Sequence, residues 1–241
     1  MTGASRIERV WGAITARADA LGVPVSLRVL CETAADRLPI TGVAVAIRGG
    51  FVVSELICVT DALSRRLEEL QLTIGEGPTL DVLAGSSAIL VEDLDAAGYQ
   101  KRWPLFAPQA VDTGVRAVHV LPLRIGGIRC GALALYTDRP ARLPGETLAE
   151  AWVFAELALE FLLDEQAGIG TQNGYVPACW HFETPAEVHQ ATGMISVQLG
   201  ISVGEAFTRL RARAFADDRP LSELAIDVVA RRIRFDQQDT G

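Results

Sequence analysis

The chain has 241 residues, a formal net charge of -8 and a hydrophobic fraction of 49%. That balance supplies a sizeable core and excludes a disordered chain. It also makes the chain as a whole repel nucleic acid, so any nucleic-acid contact must come from a local basic surface.

Residues 1–10 carry Arg6, Glu8 and Arg9 and lack the apolar core of a signal peptide. No apolar run approaches the roughly 18 residues that span a bilayer, so a cytoplasmic location is expected. Ser5 to Leu21 has Ile7, Val10, Trp11, Ile14, Ala18 and Leu21 at helical spacing and predicts a first helix. Pro24 is read as the start of a second. Two β-rich runs follow, Gly42 to Arg48 and Phe51 to Thr60, joined by the turn signal Gly49-Gly50. Asp61 to Leu70 predicts a short helix, Thr79 to Leu83 a helical turn, Ala88 to Val91 a strand, and Asp93 to Pro108 loop and helix. Ala117 to Ile125 and Cys130 to Tyr136 flank a second hairpin signal, Gly126-Gly127. Pro144 to Glu165 reads as a long amphipathic helix. Hairpin-joined strands with helices between them predict an α+β fold, an antiparallel sheet flanked by helices.

The pattern breaks over residues 166–183, where Gly168, Gly170, Asn173, Gly174 and Pro177 predict a linker that allows more than one arrangement of its flanking units. Three short helices are expected after it. Thr184-Pro185-Ala186-Glu187 and Ser202-Val203-Gly204-Glu205 are capping-box signatures, Gly200 is a stop, and the third helix starts near Pro220. The expected division is a sensor unit over 1–165 with its N-terminal helix, the linker, and a three-helix unit over 184–241.

The segment Val188 to Val229 resembles the ANTAR family of RNA-binding antitermination domains. The likeness rests on Ala191-x-Gly193-Met194-Ile195, Gly200, Glu205-Ala206-Phe207-x-x-Leu210-Arg211-x-x-Ala214 and Leu221-x-x-Leu224-Ala225-x-x-Val228-Val229. Thr192 stands where that family usually has a basic residue. Residues 24–165 resemble GAF domains, specifically the kind fused to ANTAR domains in actinobacteria, through Leu63 to Gln71 followed by Gly75-Glu76-Gly77-Pro78. The two resemblances imply a signal-responsive regulator whose sensor domain controls an RNA-binding antiterminator acting on hairpins in nascent transcripts. They also imply a homodimer, and the apolar stripes of the first and the long helix, with Trp11 and Trp152, offer a four-helix interface for it.

From residue 184 onward seven arginines face eight carboxylates, a balance of -1 against -7 upstream. The candidate RNA-binding residues are Gln190, Thr192, Gly193 and Ser196 on the first of the three helices, Arg209 and Arg211 on the second, and Arg231 and Arg232 after the third. Gln190, Thr192 and Ser196 are expected on one solvated side and the arginines on phosphates. Solvation and a favourable helix C-terminus explain the arginines equally well. A helical module that pairs with another protein and binds no RNA is the competing reading. No P-loop, H-E-x-x-H or Rossmann pattern is present, so no enzyme is expected. Gly75 to Pro78 is read as a tight turn in preference to an anion loop. Cys31, Cys58, Cys130 and Cys179 fit neither a zinc site nor a disulfide framework, and Cys179-Trp180-His181 offers too few ligands for a metal. No cofactor is expected. A small molecule or protein is the expected signal, and Cys58, Leu72, Asp81 and His119 are the side chains considered for a pocket beside the sheet.

Overall fold

A computed structural model describes residues 3–48, 54–166 and 186–236. The expected turn Gly49-Gly50, the start of the second strand, the linker's 167–183, Cys179 to His181 and the first capping box through Pro185 lie outside the described residues.

Helix α1 (Gly3–Leu21) covers the predicted segment. Helix α2 (Leu27–Arg37) starts later than Pro24, because the Ser26 side chain accepts from the Val29 N–H and fixes the boundary. Strands β1 (Gly42–Ile47) and β2 (Glu55–Val59) pair antiparallel. Asp61 caps α3 (Ala62–Ile74), accepting from the Ser64 N–H at 2.9 Å. This helix runs four residues past the predicted Leu70 and stops at Gly75, whose φ of +84° is left-handed. Next come α4 (Pro78–Ala84), β3 (Ile89–Val91), α5 (Ala97–Arg102), α6 (Phe106–Asp112), β4 (Ala117–Ile125) and β5 (Ile128–Thr137), the last two joined by Gly126-Gly127. Helix α7 (Gly145–Gln166) ends this part. The sheet order is β2-β1-β5-β4-β3 and every pair is antiparallel.

Strand alternation gives the sheet two apolar faces. Val43, Val45, Leu121, Leu123, Leu133 and Leu135 pack with α1, α2 and α7. Ala44, Ala46, Val118, Val120, Ala132 and Ala134 pack with α3, α4 and α6. Ion pairs tie the first layer together: Arg6 to Glu146 at 2.6 Å and Arg37 to Glu150 at 2.7 Å. In α1, Ile7 and Trp11 remain about 40% and 42% exposed although Trp11 stacks on Phe161. The second layer encloses polar groups. Tyr136 and Thr79 donate their hydroxyls to Glu68 Oε1 at 2.6 and 2.9 Å, and Gln71 donates to both hydroxyls while accepting from the Thr79 N–H. Burial pushes the Glu68 carboxyl up to about 7, against the pull of the two hydroxyls.

Gly75 to Pro78 is a turn: Gly75 closes α3, and Glu76 accepts the backbone N–H groups of Leu105 and Phe106 at 2.6 and 2.8 Å. The four side chains considered for a pocket are dispersed. Cys58 packs in the first layer, Leu72 points away from the sheet into the C-terminal helices, Asp81 is held by Arg102 and Trp103, and His119 lies near α7.

The C-terminal helices are α8 (Ala186–Leu199), α9 (Val203–Ala216) and α10 (Leu221–Val229). Val188, Ala191, Ile195, Ala206, Phe207, Leu210, Ala214, Leu221, Leu224, Ala225 and Val228 form one core, with Phe235 from the tail. Gly200 at φ +67° ends α8, and Ser202 caps α9.

Candidate nucleic-acid interface

The outer side of α8 carries an open groove. At 100° per residue, Gln190, Gly193, Met194 and Val197 follow one another at i, i+3, i+4 and i+7 and share one face. The tail after α10 closes the other side of the groove. Arg231 adopts φ +58° at the end of α10, where its N–H reaches the Val228 carbonyl and the Arg232 N–H reaches the Asp227 carbonyl. This is a Schellman stop in which a non-glycine residue takes the left-handed position. Phe235 then buries in the core and donates its N–H to Gln198 Oε1 at 3.2 Å. The stretch between these anchors is thereby held against α8. Gln190, Gly193, Met194, Val197, Gln198, Arg231 and Arg234 line a groove of about 670 Å³, and its lining contains two arginines and no carboxylate.

The eight residues singled out from sequence therefore divide. Gln190, Gly193 and Arg231 meet in the groove. Thr192 does not face solvent. It lies 200° from Gln190 and one turn after Val188, so it turns inward, fully buried, with its hydroxyl donated to the Val188 carbonyl at 2.6 Å. Ser196 is half-buried and donates to the Ile201 carbonyl at 2.6 Å, which closes the turn between α8 and α9. The expected single polar side of Gln190, Thr192 and Ser196 is thus replaced by Gln190 with Val197 and Gln198. Arg209 sits 3.8 Å from Glu205, and Arg232 is paired with Asp227 at 2.5 Å. Sequence reading missed Gln198, and it noted Arg234 in the arginine cluster after the third helix without carrying it into the site. The i, i+4 and i+8 spacing of Gln190, Met194 and Gln198 pointed to the α8 face, but Arg234 reaches it through the anchoring of Phe235.

Arg211 goes elsewhere. Its side chain donates to the Thr73 carbonyl at 3.2 Å, lies over the Phe207 ring at 5.8 Å, and fits against Gly75, where a β-carbon would collide with the guanidinium. Burial lowers its pKa below the ordinary arginine value. The guanidinium therefore sits at the C-terminal end of α3, where a cation complements the free carbonyls. Leu72, one residue before Thr73, enters the core of the three-helix unit. His189 lies 3.5 Å from Glu55. Arg211 and Leu72 form a seam between α3 and α9, and His189 adds a contact from α8 to β2.

Fold and groove together define an α+β unit joined to a small three-helix module that carries the groove. Residues 181–229 match the family model described as the ANTAR domain. The GAF domain from a phosphoenolpyruvate-protein phosphotransferase of Coxiella burnetii matches at a TM-score of 0.50 and 15% identity, over 68% of this chain and 98% of that one. The GAF domain of the Acinetobacter phosphoenolpyruvate-protein phosphotransferase matches at 0.49 and 11% identity, over 71% and 99%. No curated protein sequence matches the chain. The chain thus combines a GAF fold with a C-terminal ANTAR domain. Among the described residues no helix is long and apolar enough to cross a membrane.

Proposed function

We propose that this is a signal-responsive, RNA-binding regulator that promotes transcription antitermination. Its ANTAR domain, over 184–241, takes hairpins in nascent transcripts, and its GAF-fold unit, over 1–165, controls it across the 166–183 linker. It works in the cytoplasm as a homodimer, catalyses no reaction and needs no cofactor. The exposed Ile7 and Trp11 on α1 support the dimer.

One observation carries the RNA reading: Gln190, Gly193, Arg231 and Arg234 share a groove whose lining holds no carboxylate. Arginines there neutralise phosphates, Gln190 and Gln198 supply amide donors and acceptors, and Gly193 lets a backbone approach α8 closely. This is the local basic surface that a chain of net charge -8 needs. Control has a physical route in the α3–α9 seam, which holds Arg211 away from any RNA.

A second reading has its own observation. Val197 is 84% exposed beside Met194, which suits an apolar helix of a partner protein. Titration of a two-hairpin RNA across a salt series separates the two. Replacing Arg231 and Arg234 together by Ala is expected to weaken binding to all RNAs alike and to flatten the log-log salt slope by about 1.4, from roughly 0.7 per lost contact. Arg232→Ala, which loses only a residue already paired with Asp227, is expected to change the slope less. A parent chain that binds no hairpin RNA at low salt overturns the RNA reading in favour of the protein partner.

A further inference from the structure

His119 is the one buried titratable group of the sheet that no described side chain serves. It lies in β4 between Leu90 of β3 and Leu135 of β5, on the face toward α7, and is 1% exposed. Neither ring nitrogen makes a hydrogen bond of normal geometry. A buried polar group without a partner is destabilising, so a well-packed sheet is expected to satisfy it or replace it. His119 lies in the wall of a cavity of about 380 Å³ between the β3–β4 edge and the first turns of α7. Leu143, Pro144 and Leu148 give it apolar walls. Glu92 and Arg142 stand at its rim, 3.5 Å apart, and cancel each other's charge. The volume lies within the range of small-molecule sites. The cavity lies across the sheet from the Glu68–Tyr136 network, which fills the other layer.

We propose that this cavity binds a compact, uncharged, largely apolar molecule carrying one hydroxyl group, a phenol or a similar alcohol, with the hydroxyl on His119. Burial lowers the imidazole's pKa, against weaker opposing effects of the Ala141 backbone and Glu92, so the ring is neutral near pH 7. A neutral imidazole has one donor and one acceptor nitrogen, and a hydroxyl is the smallest group that can answer either. Glu92 and Arg142 pair at the rim and leave it without net charge, which offers neither an anion nor a cation a counter-charge. The bound molecule touches Leu148 on α7, the last helix before the linker, and so is placed to act as the signal of the sensor unit. That consequence rests on the regulatory reading above; the binding itself does not, and it is measured without RNA.

The test uses the full-length chain labelled with ¹⁵N-histidine, which has three histidines. Phenol is the probe, toluene its near-isostere without the hydroxyl, and benzoate the charged control. Phenol is expected to move the His119 ring resonances saturably, with an affinity at least tenfold above that for toluene or benzoate. His119→Phe identifies the His119 signals by their loss and is expected to abolish the rise in Tm that phenol gives the parent, while His119→Gln retains part of it. Leu148→Trp fills the cavity without touching the imidazole and is expected to block the phenol shift, which keeps the test decisive if His119→Phe fails to fold. Three results overturn the proposal: no saturable shift with phenol, equal affinity for toluene and phenol, or a phenol response that survives Leu148→Trp. Each of them leaves His119 a buried ring without a ligand.

Discussion

Arg231 sits in a backbone conformation that an arginine does not favour, and the proposed groove supplies the reason it is kept. A left-handed backbone costs a non-glycine residue about 1–2 kcal/mol, and Arg231 holds φ +58° at the Schellman stop of α10. Arg231→Gly removes that strain but adds glycine's larger loss of chain entropy on folding, about 0.5–1 kcal/mol. The net expectation is a gain of about 0.5–1 kcal/mol, because the two closing bonds, Arg232 N–H to Asp227 O at 2.8 Å and Arg231 N–H to Val228 O at 2.9 Å, use only backbone. The same change deletes a groove cation and is expected to weaken hairpin RNA binding and lower the salt slope by about 0.7. Arg231→Lys keeps both strain and charge and should match the parent in stability, with a smaller loss in RNA binding. Urea unfolding followed by circular dichroism measures the first effect and filter binding the second. A glycine variant that is less stable than the parent refutes the strain argument. One that is more stable and binds RNA equally well refutes the functional reason for the strain.

Glu68 makes stability depend on pH. Its folded carboxyl is raised from 4.5 to about 7, so the folded state holds more protons than the unfolded one across that window and stability falls as pH rises from about 4.5 to 7. The full shift corresponds to about 3 kcal/mol. Glu68→Gln keeps an acceptor for Tyr136 and Thr79 and is expected to flatten the profile, which urea midpoints at pH 5 and pH 8 would show. Thr192→Lys restores the family's usual residue type at a fully buried position. It is expected to cost about 2 kcal/mol or more and to give no gain in RNA affinity, checked by thermal melting and titration. Gly75→Ala places a β-carbon on the Arg211 guanidinium at a backbone of φ +84°. It should loosen the seam, seen as faster amide exchange in α9 with exchange in β1 and β5 unchanged.

The elements that local chemistry fixes were legible. Ser202 capped its helix as the capping box implied, Gly126-Gly127 turned β4 into β5, and the apolar stripe Ala206, Phe207, Leu210, Ala214 became core. Where the sequence reading stopped short, a tertiary partner decided. Helix α3 was expected to end at Leu70 and Leu72 was considered for a pocket beside the sheet; Leu72's partners instead lie in a unit more than a hundred residues away. Arg211 was grouped with Arg209 by composition, yet it stands one turn after Phe207 and three residues before Ala214, on the border of the apolar stripe. That spacing was the readable sign that it would pack and not float. Thr192 carried the same sign through Val188. Arg234 had none, since its place depends on where the chain is pinned by Phe235.

The proposed control of one unit by the other comes down to two faces of α3. Glu68 and Gln71 turn inward to Tyr136 and Thr79, while Leu72 and the Thr73 carbonyl turn outward to α9. A helix packed on both sides does not move one face without the other. The outward face is held by modest forces. Burying one leucine contributes about 2–3 kcal/mol and a hydrogen bond from a charged donor about 1.5, and beside α3 the His189–Glu55 contact between α8 and β2 adds less than about 1. Against these stands the entropy of fixing one unit on another, which takes back much of the gain. The docked arrangement is thereby left within a few kcal/mol of release. That is the range in which coupling free energies of 1–3 kcal/mol shift populations. A seam built from a larger apolar surface would lock the module in place; one without Leu72 and Arg211 would leave the sensor nothing to release. Leu72→Asp is therefore expected to free Arg211 and raise hairpin RNA affinity while leaving the sheet's amide exchange unchanged. Unchanged affinity in that variant, with the fold intact by circular dichroism, would show that the seam holds the two units together without governing what the groove binds.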